Sequence, residues 1–188
     1  MSGADLTTGR LLVATPKLED PNFARAVVLL LDHDGDGALG VIISRPTTVP
    51  VADVLPRWSD LVTGPDVLFS GGPVGTDSAL AVAIVDGSED DDPVGWRRLY
   101  PGAGLVDLDA PPELLAGVLT GMRVFAGYAG WGPGQLEEEV DEGAWYVVPA
   151  ETEDLLCPDA EQLWRRVLRR QPGELAFVHT CPLDPTQN

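Results

Sequence analysis

Two cysteines, two histidines and a single lysine are all that this 188-residue chain has of the side chains on which much covalent and metal chemistry depends. Cys157 and Cys181 are too few for a disulfide framework and are not spaced as a redox pair. His33 and His179 have no His or Cys partner at zinc-like spacing, so no metal site is expected. Lys17 follows no glycine-rich loop, which excludes a P-loop. The longest uninterrupted apolar run, residues 79–85, is far shorter than the roughly 20 residues of a membrane span. Residues 1–5 lack a basic leader region, and 11–14 are too short for the apolar part of one. These absences predict a soluble, cytoplasmic protein with no membrane partner and no cofactor.

Positive charge is scarce too. Twelve basic residues stand against 30 acidic ones, for a net charge of −18. A polyanion is repelled by that mean field, and no DNA-reading motif is present, so direct nucleic-acid binding is not expected. With 44% hydrophobic residues the chain can bury a substantial core. One domain over residues 1–188 is expected, with loose ends at 1–8 and 182–188.

What is there reads as short strands and scattered helices. Residues 11–15, 26–31 and 38–44 are apolar and β-branched, and the Gly/Asp cluster 32–37 turns the latter two into a hairpin. Their apolar residues are consecutive, so both faces should be covered. Further strands are expected at 67–69, 79–85, 105–108, 124–126, 144–148 and 175–178. Residues 51–55 suggest a helical turn, and 88–93 an acidic loop. Pro111 and Pro112 suit a helix start, with 113–122 continuing it. Pro133 precedes a short helix over 135–140. The last helix has Asp159 as its expected cap, Gln162 three positions on, and Pro172-Gly173 as its stop. Its Leu163, Trp164, Val167 and Leu168 form an apolar stripe. Hairpins with scattered helices favour the α+β class.

Several local patterns fail on inspection. Residues 35–40 match G-x-G-x-x-G, but β-branched residues and Pro46 follow where a nucleotide site needs a helix. Residues 32–37 mimic half an EF-hand loop, yet its twelfth position is Ile43, which cannot ligate calcium. Ser70 has no nucleophile-elbow context. Cys157 is flanked by Asp154 and Asp159, which offset any activating helix terminus. Glu137, Glu138 and Glu139 in a first helical turn, and Arg165, Arg166, Arg169 and Arg170 in a last one, suit the helix dipole without further purpose.

Three blocks go further. Residues 11–30 with the later Ser44-Arg45-Pro46, Gly71-Gly72-Pro73-Val74, and Tyr128-Ala129-Gly130-Trp131-Gly132-Pro133-Gly134-Gln135-Leu136-Glu137 together resemble the AlgH/YqgE family of bacterial proteins. Ser44 departs from the Asn that many relatives have there. The resemblance implies a compact α+β domain with a curved, mixed, largely antiparallel, barrel-like sheet flanked by helices. It brings no catalytic residue, and a transcriptional-regulator name borne by some relatives brings no DNA-binding motif.

All three blocks are Pro/Gly turns beside apolar strands, and binding residues concentrate on rigidly held loops. A cleft is therefore expected from Asn22, Arg25, Arg45, Gly71, Gly72, Pro73, Tyr128, Trp131 and Gln135, with Trp131 partly exposed beside the Gly71-Gly72-Pro73 turn. That constellation carries no catalytic chemistry, which points to a regulatory protein binding a small ligand or a protein partner. The alternatives are an enzyme whose Arg25 and Arg45 face a small anionic substrate, and a transcriptional regulator.

Overall fold

The structure, a computed structural model, describes residues 5–86 and 90–182. Ser88 and Glu89 of the expected acidic loop, and residues 1–4 and 183–188 of the expected loose ends, lie outside the described residues. The strands are β1 (Arg10–Ala14), β2 (Val27–Asp34), β3 (Gly37–Ile42), β4 (Pro46–Pro50), β5 (Val67–Ser70), β6 (Val74–Val85), β7 (Trp96–Tyr100), β8 (Ala103–Val106), β9 (Leu119–Trp131) and β10 (Trp145–Pro149). The helices are α1 (Val51–Val54), α2 (Gln135–Asp141), α3 (Thr152–Leu155) and α4 (Leu163–Arg169).

The strands form one curled sheet in the order β10-β1-β2-β3-β9-β6-β8-β7. Every pairing on that path is antiparallel, while β4 pairs with β5 and β5 runs parallel to β9. The mixed, largely antiparallel half-barrel expected from the resemblance is thus present. β9 holds it together, because its Ala129–Trp131 end pairs with β3 and the rest of its length with β6.

The consecutive apolar residues of β1 and β2 are explained by this curl. Leu11, Val13, Val27, Leu29 and Leu31 point into the concave core, which α3 and α4 close with Leu155, Leu163, Trp164, Val167 and Leu168. Leu12, Ala14, Val28 and Leu30 face the opposite side, against Trp131, Leu136 and Trp145. A third cluster on the back of β6, β8 and β9 is built around Trp58, Trp96, Leu115 and Met122. Side chains alternate along a strand, so a strand covered on both faces reads as a continuous apolar run.

Four expectations about local structure are corrected. No helix spans 113–122: only a 3-10 turn, Pro112–Leu114, forms, and Leu119 begins β9. Pairing with β6 outweighs the helical composition of that stretch. β9 also runs on through Trp131, where a strand of three residues and a loop were expected. Asp159 makes no side-chain cap; a 3-10 turn, Ala160–Gln162, leads into α4 instead. Finally, 175–178 is no strand. It belongs to an eight-residue 3-10 segment, Gly173–Thr180, lying on α4.

Candidate functional site

Arg45 lies at the start of the β4 arm and is fully engaged by main chain. Its Nη1 donates to the carbonyl of Asn22 at 2.5 Å and more weakly to that of Pro21 at 3.4 Å, and its Nη2 to that of Ala24 at 2.9 Å. Desolvation lowers its pKa, with Asp20 opposing. Arg45 therefore clamps the turn that carries Asn22 and Arg25. Asn22 is exposed, and its N–H donates to Oδ1 of Asp20 at 2.8 Å. Arg25 has φ +59°, the one non-glycine residue with positive φ among the described residues. Its guanidinium stacks 4.1 Å from the centroid of Trp164. Ser44 accepts a hydrogen bond from the N–H of Val27 at 3.1 Å in the core.

Gly71, Gly72 and Pro73 join β5 to β6. The N–H of Gly71 donates to Ala126 and its carbonyl accepts from Ile42, at 2.9 and 2.8 Å. A Cβ on Gly71 would overlap the carbonyl of Gly127, and one on Gly72, at φ +152°, the carbonyl of Tyr128. Two main chains cross here without room for a side chain, which is why glycine is required.

The third block is organised by Glu139, a residue whose place in a first helical turn carried no expectation beyond the helix dipole. Its Oε2 accepts both indole N–H groups, from Trp131 and Trp145, each at 2.9 Å. Its Oε1 accepts from Nε2 of Gln135 at 2.9 Å, while Oε1 of Gln135 caps the N–H of Gly132 at 3.0 Å. Phe23 stacks on Trp131 and meets Trp145 edge-on. On the same helix, Glu137 Oε1 lies 2.7 Å from Nε2 of His33. Trp131 is not the partly exposed cleft residue expected. It is 6% exposed, and its neighbours are Phe23, Trp145 and Glu139, whereas the Gly71-Gly72-Pro73 turn packs on Gly127 and Tyr128.

The three blocks thus meet through main chain and packed aromatics. An open cleft lies elsewhere. A cleft of about 440 Å³ opens where the concave core reaches solvent, between β2–β3 and β7–β8. Leu31, Leu39, Leu80, Leu99 and Leu105 form its floor, and Thr8, Asp32, Arg97 and Arg98 its polar parts. None of Asn22, Arg25, Arg45, Gly71, Gly72, Pro73, Tyr128 or Gln135 lines it. Arg98 is held by Oδ1 of Asp92, through Nη2 at 2.6 Å and Nε at 2.9 Å. Arg97 is exposed, and its side chain makes no hydrogen bond or ion pair among the described residues. A second hollow of about 260 Å³ carries Asp32, Asp34 and Asp36 beside Trp131. Asp32 and Leu39 line both, so an apolar trough runs from two arginines towards three aspartates. Apart from Thr8, the residues of the larger cleft come from five strands and match no motif, so only the apolar runs hinted at it.

One buried charge stands apart. Arg123 of β9 is 1% exposed, and its pKa is pushed down to about 10, chiefly by desolvation. Nη1 donates to the carbonyl of Cys157 at 3.0 Å and Nη2 to that of Gly64 at 2.9 Å, and the group lies over Phe69. It bolts the α3–α4 connection to the sheet. Cys157 is buried, with Nη1 of Arg166 3.7 Å from its Sγ. Among the described residues no group of three His, Cys, Asp or Glu side chains is arranged to hold a metal ion. None of their helices is long and apolar enough to cross a membrane.

Fold and cleft together define an α+β half-barrel with an apolar-floored mouth. The chain belongs to the family described as AlgH-like, DUF179, whose pattern matches residues 11–176. It is 61% identical to a UPF0301 protein of Streptomyces avermitilis and 60% to the UPF0301 protein SCO2948 of Streptomyces coelicolor, in each case over all of this chain and 98% of the relative. The crystal structure of protein DIP2367 from Corynebacterium diphtheriae superposes with a TM-score of 0.89 at 35% identity, covering 96% of this chain and 95% of that one. The solution structure of the AlgH protein from Pseudomonas aeruginosa gives 0.65 at 26% identity, covering 93% and 94%.

Proposed function

We propose that this protein is a regulatory binding protein without catalytic chemistry of its own, and that its small ligand lies in the mouth of the half-barrel. The observation that carries this reading is the cleft, whose volume falls within the range of small-molecule sites and whose leucine floor ends in charged groups. Its ligand class is an amphipathic molecule with an apolar body and an acidic group for Arg97. Arg45, one of the two arginines expected to face a substrate in an enzyme, is taken up by backbone carbonyls, which weighs against that alternative. The net charge of −18 weighs against direct DNA contact.

The test is a thermal and chemical stability screen with carboxylate amphiphiles such as octanoate and N-acyl amino acids. A true ligand at a hundred times its Kd stabilises the protein by about 2.7 kcal/mol. Leu105→Trp, which fills the cleft, abolishes that gain. No stabilisation by any amphiphile, or an undiminished gain in Leu105→Trp, overturns the reading.

A further inference from the structure

In a chain with 30 acidic residues, Arg25 and Arg165 have no carboxylate within ion-pair distance among the described residues. Desolvation lowers the pKa of Arg25, Cys181 opposes that, and the charge of Arg165 adds to the lowering, so the two guanidinium groups are near neighbours. All their hydrogen-bond partners are main-chain oxygens near the end of the described chain. Arg25 donates to the carbonyls of Cys181 at 3.4 Å and Pro182 at 2.6 Å, and Arg165 to that of His179 at 2.7 Å. Arg25 is held in place from below by the ring of Trp164, whose own N–H donates to the carbonyl of Ala14 at 2.8 Å. A positive φ on a non-glycine residue is uncommon and marks a position held by its surroundings.

The segment that supplies these oxygens is a weak one. Gly173–Thr180 is eight residues of 3-10 helix, whereas such helices rarely run beyond three or four because their hydrogen bonds are poorly aligned. None of its residues is buried, and Phe177 is 72% exposed. Leu175, Val178 and Cys181 are packed against the core but only partly buried. The family pattern ends at residue 176, within it.

We propose that Arg25 and Arg165 form a binding site for a phosphate monoester, and that the strap 173–182 caps this site as a displaceable self-ligand. The three carbonyl oxygens stand in for the oxygens of a phosphoryl group. Two guanidinium groups with no carboxylate partner among the described residues match the charge of a phosphate ester, about −1.5 to −2 at pH 7, and charge-assisted bonds to it are stronger than bonds to neutral carbonyls. Bound phosphate replaces the strap, which peels from α4 and bares the partly covered side chains beneath it. Ligand occupancy is thereby converted into a change of surface. This site shares no residue with the cleft between β2–β3 and β7–β8 and is independent of the reading given for it.

The experiment is amide hydrogen exchange on the full chain titrated with O-phosphoserine, against chloride at equal ionic strength to control for screening. Amides of 174–180 exchange about tenfold faster once phosphoserine reaches ten times its Kd for the uncapped form, since binding multiplies that population by one plus the ratio of concentration to Kd. Arg25→Gly, which suits the positive φ, and Arg165→Met each exchange faster without ligand and lose the response. Equal effects of phosphoserine and chloride, or a phosphoserine response that survives in both variants, overturn the proposal. A response to inorganic phosphate but not to phosphoserine assigns the site to the free anion and overturns the ester.

Discussion

The indole N–H of Trp131 lies 2.9 Å from Oε2 of Glu139, and through that bond the most distinctive loop of the chain is tied to the helix that follows it. Trp145 donates to the same oxygen, so one carboxylate satisfies two buried indoles. Trp131→Ala therefore behaves as a large-to-small core change, with an expected loss of about 3–5 kcal/mol in urea unfolding. Glu139→Gln leaves either the indoles or Gln135 facing an amide NH₂ and loses about 1–3 kcal/mol. A Trp131→Ala loss near 1 kcal/mol would contradict this role and restore the indole as a cleft residue.

Gly72→Ala is expected to be severe. The backbone sits at φ +152° and the added methyl meets the carbonyl of Tyr128, so both strain and overlap act. The loss is at least about 2 kcal/mol, and a circular-dichroism melt against wild type measures it. A change within experimental error would show that the crossing of the two chains can relax.

Asp154 is 2% exposed and receives Nη1 and Nη2 of Arg170, each at 2.6 Å, together with the N–H of Glu151 at 2.7 Å. The hydrogen bonding from Arg170 to Asp154 is the main cause raising the pKa of Arg170 above its usual value. Asp154→Ala removes the bidentate partner of a partly buried guanidinium, which keeps only Glu151 Oε2 at 3.5 Å and the carbonyl of Pro149 at 3.3 Å, and costs about 3 kcal/mol, whereas Asp154→Asn keeps an acceptor and costs less. Denaturant midpoints of the two variants rank them.

Glu137 titrates below its ordinary value of 4.5, first because of a backbone hydrogen bond and second because of His33. A carboxyl with a depressed folded pKa stabilises the protein above its unfolded value, and that contribution fades as pH falls through the folded one. Carboxyl NMR titration should place its midpoint under 4.5, with His33→Ala raising it only part of the way because the backbone bond stays. A midpoint at or above the ordinary value would refute both causes.

Where residues carried their own explanation, the sequence was readable. The hairpin of β2 and β3 announced itself through apolar runs on either side of Asp34–Gly37, and the two-sided burial of β1 and β2 followed from unbroken hydrophobicity. The α4 stripe was equally plain, with Leu163, Trp164, Val167 and Leu168 all buried. What failed was non-local. Residues 119–123 became strand because β6 lies beside them, and 175–178 did not because a short apolar run does not distinguish strand from helix. β4 and β7 had too little apolar pattern to be seen. Of the motif residues, Arg45 grips carbonyls and Gly71-Gly72 admits a crossing chain, contacts that no linear pattern announces. The cleft comes from leucines on separate strands and has no linear signature.

The pairing of β1 with β10 has a consequence for how the chain is made. Leu11 to Ala14 leave the ribosome early, yet the strand that covers their outer side is the last of the sheet, with Ala14 opposite Trp145 and Arg10 opposite Pro149. At about 5–20 residues per second, synthesis leaves that apolar margin bare for several seconds or more. A bare strand margin is a template for wrong partners, and closing so distant a contact is slow. The growing chain thus depends on rapid completion or on a chaperone. Any truncation before Pro149 would strand a hydrophobic ribbon in solution, where it would aggregate.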